Sequence, residues 1–242
     1  MTEKYFILGL PVNSFHYSGL LSEIEKLVSR SEKTAITYAN AACIMNFRAS
    51  PKYRCALQRF ILIHSDGVGI SLAARFLNYE RLKRRMTGSD FYPLLIEKAI
   101  EKQWALFIFG DTIETLRCIP ERYPTLKIAG MSAGFSYSNR LPEEISKLKP
   151  DLVLVGLGVP KQETWIADNW ERLPAALYLA VGEGLKVLSG TKKRGNSFIQ
   201  KAGFEWAVRL FSDPVRLWKR YLIWMPVFLF MVVMQKFRGK SE

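Results

Sequence analysis

Seven short apolar runs punctuate the chain: YFILG (5–9), TAITYA (34–39), FILIHS (60–65), WALFIFG (104–110), LKIAGM (126–131), DLVLVG (151–156) and ALYLAVG (176–182). Each has strand length, and most are apolar without the alternation of a half-exposed strand. Continuous apolar strands belong to sheets covered on both faces, hence to largely parallel ones. Between them lie segments of helical spacing at 18–30, 68–77, 90–103, 111–118, 142–148 and 161–171. This alternation predicts an α/β fold of Rossmann-like type, a largely parallel sheet with helices on both faces. Ligands of such sheets bind at the carboxyl ends of the strands, near a reversal in strand order. The polar residues gather there: Thr37 to Asn40, Asp66 to Gly69, Gly110-Asp111, Gly156 to Gln162, and Gly182 to Gly184. One cleft spanning several strand ends is the expected site.

The pattern changes after about residue 190. Residues 203–240 show no strand alternation and read as two or three helices, with Asp213-Pro214 as a helix start. Within them, YLIWMPVFLFMVVM (221–234) runs fourteen residues without a charge, flanked by Lys219-Arg220 and by Lys236, Arg238 and Lys240. It is shorter than the roughly 20 residues that cross a bilayer, and Pro226 interrupts it. Apolar on every side and basic at both ends, it is expected to lie in a membrane interface, with 205–240 as the membrane-contacting stretch. A core or dimer-interface helix is the alternative. The division expected is a core over 1–190 and a helical appendage over 191–242.

Charge sharpens this picture. Of the net +13, the last 57 residues carry +9, from twelve Lys/Arg against three Asp/Glu. A basic tail reads as contact with nucleic acid, an anionic membrane or a phosphorylated ligand. Absence of any nucleic-acid-binding motif, and the apolar run beside the arginines, set nucleic acid aside. Cys43, Cys55 and Cys118 have no CxxC spacing, and Met1-Thr2-Glu3-Lys4 leads straight into an apolar run. Buried thiols in a reducing cytosol are expected. Two histidines, His16 and His64, make a histidine metal site an unlikely expectation, and no DxD pair occurs.

The glycine loops exclude two common chemistries. Gly67-Val68-Gly69 and Gly156-Leu157-Gly158 both lack the third glycine of a dinucleotide fingerprint, and no GxxxxGK[ST] is present. What remains is general: glycines after strands let backbone approach a ligand, and helix N-termini there attract phosphate. Gly67, Gly88, Gly110 and Gly158 are candidates on this ground. In GVPKQETW (158–165), Pro160 opens a helix and places Lys161, Gln162 and Glu163 at its start, where an amide suits sugar hydroxyls or phosphate oxygens; helix capping is the plainer reading of Gln162. In RLKRRMTGSDFY (81–92), four basic residues, Arg85 among them, precede a Ser89/Asp90 helix start, as a diphosphate-contacting or merely solvated loop. Asp66, between a buried strand and Gly67, is a turn former or a general base.

Taken together, TYAN (37–40), SDGVGI (65–70), RMTGSDF (85–91), FGD (109–111), VGLGVPKQETW (155–165), VGEGLKVLSGTKKR (181–194) and GFEWAVRLFSDPVRLWKRY (203–221) resemble the WecG/TagA/CpsF glycosyltransferases, glycosyltransferase family 26, over nearly the whole chain. The resemblance implies transfer from a UDP-sugar to an undecaprenyl-diphosphate-linked saccharide at the cytosolic membrane face, with inversion and without a metal or cofactor. It implies a place in teichoic acid, common antigen, capsule or exopolysaccharide synthesis. It places the acceptor-deprotonating base on Asp66, pocket-lining Thr37 and Asn40 beside it, and the PKQE glutamine on Gln162, with Asp66, Thr37 and Gln162 as the expected catalytic set. Arg209, Arg216 and Arg220 fall on the appendage arginines that neutralise the departing UDP diphosphate in place of a metal. Two departures, Arg194-Gly195-Asn196 in place of Arg-Ala-Pro and Glu183 in VGEGL, leave the donor open among UDP-N-acetylmannosamine, its uronic acid and UDP-glucose. A second copy of the chain is a further partner to consider. A basic membrane- or nucleic-acid-binding adaptor without catalysis is the competing reading, and a nucleotide-sugar oxidoreductase lacks its complete GxGxxG.

Overall fold

A computed structural model of the chain describes residues 3–83, 86–192, 215 and 218–238. It contains an eight-stranded sheet in the order β1-β2-β4-β3-β8-β7-β5-β6. The strands are β1 (Lys4–Ile7), β2 (Leu10–Asn13), β3 (Thr34–Ala39), β4 (Leu62–Ser65), β5 (Leu106–Gly110), β6 (Ile128–Ser132), β7 (Leu152–Gly156) and β8 (Leu177–Ala180). Only the β1–β2 pair is antiparallel; every other pairing is parallel. The largely parallel α/β sheet expected from the uninterrupted apolar runs is therefore present.

The helices are α1 (Tyr17–Ser29), α2 (Ala41–Ala49), α3 (Pro51–Leu57), α4 (Val68–Phe76), α5 (Gly88–Glu101), α6 (Ile113–Arg122), α7 (Leu141–Leu148), α8 (Lys161–Asp168), α9 (Gly184–Leu188) and α10 (Met225–Phe237). Successive strand residues feed two apolar layers, because side chains alternate across a sheet. Ile36, Leu106, Ile108, Leu152, Leu154, Leu177 and Leu179 meet α1, α5, α6 and α9 on one face. Ala35, Ile63, Phe107, Phe109, Val153, Val155, Tyr178 and Ala180 meet α2, α3, α4, α7, α8 and α10 on the other.

Three elements differ from the sequence reading. The first apolar run is a hairpin rather than one strand, turning at Leu8 (φ 50°) and Gly9 (φ 89°). A leucine in the left-handed region lacks the Asn-Gly signature of a two-residue turn. Its support is distant: Gln235 of α10 accepts from the Leu8 N–H through Oε1 and donates through Nε2 to the Phe6 carbonyl, both at 2.9 Å. Helices α2 and α3 fill a stretch left unassigned, since the buried Ala41, Ala42, Cys43 and Ile44 are consecutive and hide the helical period. Their caps are local, Asn40 accepting from the Cys43 N–H at 3.1 Å and Ser50 from that of Tyr53 at 3.2 Å. Of the cysteines only Cys43 is buried; Cys55 is exposed and Cys118 intermediate, which corrects the expectation of buried thiols.

The apolar run near the end is partly buried within the protein. After one wide helical turn over Lys219–Trp224, α10 lies against α2 and α4 and buries Phe228 and Val232 completely. Leu222, Ile223, Trp224, Val227, Phe230 and Phe237 are exposed, Phe230 by 65%. The helix thus has a core face, as the alternative of a packed helix requires, and an open apolar face. No helix among the described residues is long and apolar enough to cross a membrane.

Candidate active site

Five adjacent strands, β4, β3, β8, β7 and β5, bring their carboxyl ends together. They carry Asp66, Asn40, Gly182, Gly156 to Gly158, and Gly110-Asp111, so the polar motifs separated in sequence share one edge.

Asp66 follows β4 directly and is half-buried. Its N–H donates to the Ala39 carbonyl at 2.8 Å, which extends the β3–β4 ladder by one bond. Its Oδ1 accepts from the Gly88 N–H, at the start of α5, at 2.9 Å. The next residue, Gly67, has φ 82° and donates to the Met86 carbonyl at 2.9 Å. A left-handed residue is needed for the chain to turn from β4 into α4, and glycine adopts it without strain. The loop 86–88 thus clasps both Asp66 and Gly67, and no described group bonds Oδ2. One oxygen anchored by an amide and one left free is the geometry of a carboxylate able to take a proton from a ligand. His64, two residues earlier, is wholly buried; burial lowers its pKa, while the Ser65 carbonyl and the Asp66 charge oppose that shift.

Thr37, Gln162 and Glu163 converge, but below the surface. All three are 0% exposed. Glu163 Oε1 accepts from the Thr37 hydroxyl at 2.7 Å and from Gln162 Nε2 at 2.9 Å, and Gln162 Oε1 accepts from the Gly182 N–H at 2.9 Å. Burial pushes the Glu163 carboxyl up to about 7, against the lowering effect of the Gln162, Thr37 and backbone hydrogen bonds. Neither Gln162 nor Glu163 caps α8; they are spent on one another and on Gly182. Lys161 is exposed on the first turn of α8, and Pro160 immediately precedes that helix.

Glycines set how closely the strand ends approach. A Cβ on Gly110 (φ 136°) would lie 2.5 Å from the Gly156 carbonyl carbon, and one on Gly182 would strike the Tyr38 hydroxyl. Gly158 (φ 76°) is different, with nothing within 4 Å of an added Cβ. Gly110→Ala is accordingly expected to cost about 3 kcal/mol through overpacking and strain, read as a lower denaturation midpoint. Gly158→Ala should cost only about 1–2 kcal/mol of left-handed strain, yet raise KM for a ligand entering that space. Gly88 is buried against the Tyr92 ring, which also packs on Gly184 and so joins α5 to α9.

Asn40 is used as the α2 cap, with its side chain at the β3 end of the edge. Arg85, Arg209 and Arg216 lie outside the described residues, as does the side chain of Arg220. Asp111, with 10% side-chain exposure, faces Lys186 Nζ at 3.9 Å, a pairing across the β5 and β8 ends that no short motif signals. Met86 also lines a cavity of about 550 Å³ with Phe15, His16, Tyr17, Ser18, Leu21 and Leu94. Its wall is mostly apolar and includes no lysine or arginine to neutralise a diphosphate.

A sequence model of the glycosyl transferase WecG/TagA/CpsF family matches residues 5–242. The chain belongs to this family. Relatives include the N-acetylglucosaminyldiphosphoundecaprenol N-acetyl-beta-D-mannosaminyltransferase of Bacillus spizizenii W23, 30% identical over 88% of this chain and 86% of that one. The protein of the same name from Bacillus subtilis 168 is 33% identical over 65% of this chain and 62% of its own. That of Staphylococcus aureus MW2 is 25% identical over 99% of this chain and 96% of its own. Family membership makes the chain a glycosyltransferase with a Rossmann-like fold, as its motifs imply.

Proposed function

We propose that the protein transfers N-acetylmannosamine from its UDP conjugate to the N-acetylglucosamine of an undecaprenyl-diphosphate-linked acceptor, with inversion and without a metal, in surface polysaccharide synthesis. The observation that carries this reading is Asp66: a half-buried carboxylate at the common strand edge, with Oδ1 held by the Gly88 amide and Oδ2 bonded by no described group. The names of the relatives support the sugar and the acceptor.

Asp66 accepts the proton of the acceptor hydroxyl. The freed oxygen attacks C1 of the donor sugar from the face opposite UDP; the C1–O bond to the β-phosphate breaks, and its electron pair leaves with UDP. Attack opposite the leaving group inverts the anomeric centre. Arg209, Arg216 and Arg220 are assigned to the diphosphate charge, the task a divalent ion performs elsewhere. Arg85, Gly88 and Lys161 are assigned to phosphate, and Gly67, Gly110 and Gly158 to close backbone approach. The test is UDP release from a panel of UDP-sugars with a lipid-diphosphate N-acetylglucosamine acceptor, in detergent and EDTA. Acceptor-dependent release from UDP-N-acetylmannosamine is expected; release only after a divalent ion is restored would refute the metal-free step.

The open face of α10 is assigned to the cytosolic membrane surface, as a peripheral attachment. Burying one phenylalanine contributes about 1.5–3 kcal/mol, so Phe230→Asp is expected to weaken sedimentation with phosphatidylglycerol vesicles tenfold or more. The solution fold should be unchanged, because Phe230 is already exposed to water. Equal sedimentation of both proteins would remove this face from the membrane contact.

A further inference from the structure

A carboxyl group shut off from solvent sits beneath the proposed site, and the transfer step makes no use of it. Glu163 Oε1 takes the Thr37 hydroxyl and the Gln162 amide, while Oε2 is buried with no hydrogen-bond partner. Through these bonds two adjacent side chains at the start of α8, Glu163 and Gln162, tie β3 to the turn after β8, where Gln162 accepts from the Gly182 N–H. That turn has no slack: Gly182 has φ 52°, and a Cβ there would strike Tyr38.

We propose, resting on the transferase reading above, that Glu163 is a positioning residue: it touches neither substrate, and in its protonated form it holds Thr37 and, through Gln162, the Gly182 turn in the geometry that binds the donor, a packing that loosens when its ionisation draws water to Oε2.

The surroundings favour the neutral form. Tyr38 on β3, Tyr53 on α3 and Tyr92 on α5 all feel the Glu163 charge, and burial raises each of their hydroxyls well above the ordinary range. Cys43 on α2 acts on the same three tyrosines, and Asp66 acts on Tyr38 and Tyr92. No described cation acts on Glu163 itself. A carboxylate formed here keeps two donors on Oε1 but has none for Oε2, and a buried charge so placed must draw in water. Water reaching Oε2 has to part β3, α8 or the Gly182 turn. Burial moves the carboxyl from 4.5 to about 7, so the native state holds its proton where the unfolded chain has lost it. Its contribution is complete below about pH 4.5 and is lost as pH rises through about 7.

The experiment compares full-length wild type, Glu163→Gln and Glu163→Ala between about pH 5 and 9, spanning this window. Amide exchange of peptides covering residues 181–189, corrected for intrinsic rate, is followed beside donor KM and kcat. In the wild type, protection of the turn is expected to fall about tenfold as pH passes 7, with donor KM rising in parallel and kcat little changed. The amide oxygen of Glu163→Gln still accepts both bonds and does not titrate, so protection and KM should stay flat. Glu163→Ala should lack the protection at every pH; if it fails to fold, the wild-type and Gln comparison decides alone. A Gln variant that follows the wild-type pH dependence, or a turn equally protected in all three proteins, overturns the proposal. Absence of transfer from any donor, with the exchange pattern as expected, would refute the transferase reading and leave the positioning of the turn established.

Discussion

Asp66→Asn is expected to lower kcat for acceptor-dependent sugar transfer by about 10²–10⁴-fold, the range that one general base supplies. That corresponds to roughly 3–5 kcal/mol of transition-state stabilisation. The substitution is close to a pure test of basicity. An asparagine oxygen still accepts from the Gly88 N–H, so the clasp between the Asp66 loop and residues 86–88 survives. The backbone bond from residue 66 to the Ala39 carbonyl does not depend on the side chain. Donor KM and the denaturation midpoint should therefore stay near wild-type values while turnover collapses. Turnover within threefold of wild type would show that Asp66 only shapes the turn, and the base would have to be sought elsewhere. A parallel loss of stability would instead mean that the carboxylate is structural.

Phe228→Ala should destabilise the fold by about 3–5 kcal/mol, measured as a lower urea midpoint. Phe228 has no exposed surface and is counted with Ile44, Ile70 and Ala73 in the apolar layer beneath α2 and α4. Deleting its ring leaves a cavity at the seam where α10 meets those helices. The consequence reaches the site, because Met225 packs at 3.4 Å from where a Cβ of Gly69 would lie, in the first turn of the helix that follows Asp66. Partial loss of transfer at temperatures well below unfolding is the expected companion effect. Phe230→Ala, on the open side of the same helix, is the control and should shift the midpoint by no more than about 0.5 kcal/mol. Equal effects of the two substitutions would contradict the packing described for α10.

What the sequence discloses follows the range of the interactions concerned. β3 appears as TAITYA with both bounds correct, because six consecutive buried residues leave an unbroken apolar run. Asp66 and the glycines are legible because a carboxylate or glycine just past a buried strand has few local reasons to be there. The β1–β2 hairpin is not legible: Leu8 is a poor residue for its turn, and the group that steadies it is 227 positions away. Helix α2 hides for a different reason, since its buried residues stand side by side rather than every third or fourth position. At the site, the chain places Gln162 and Glu163 on the first turn of a helix, where binding or capping is the ordinary expectation. Only the tertiary structure reveals that both point into the protein, since the Thr37 hydroxyl that engages Glu163 is 126 residues distant.

Gln235 offers the turn at Leu8 a carbonyl and an amide, much as a neighbouring strand would. A group 227 positions along the chain therefore helps to complete the first hairpin. Contacts of such long sequence separation form late, since a large loop must be closed first. The turn at Leu8 is thus incompletely satisfied until α10 docks against it. The segment that finishes this edge is the same one that presents Trp224, Val227 and Phe230 to the outside. Completion of the sheet edge and display of the open apolar face of α10 thus become a single event, set by the docking of that helix.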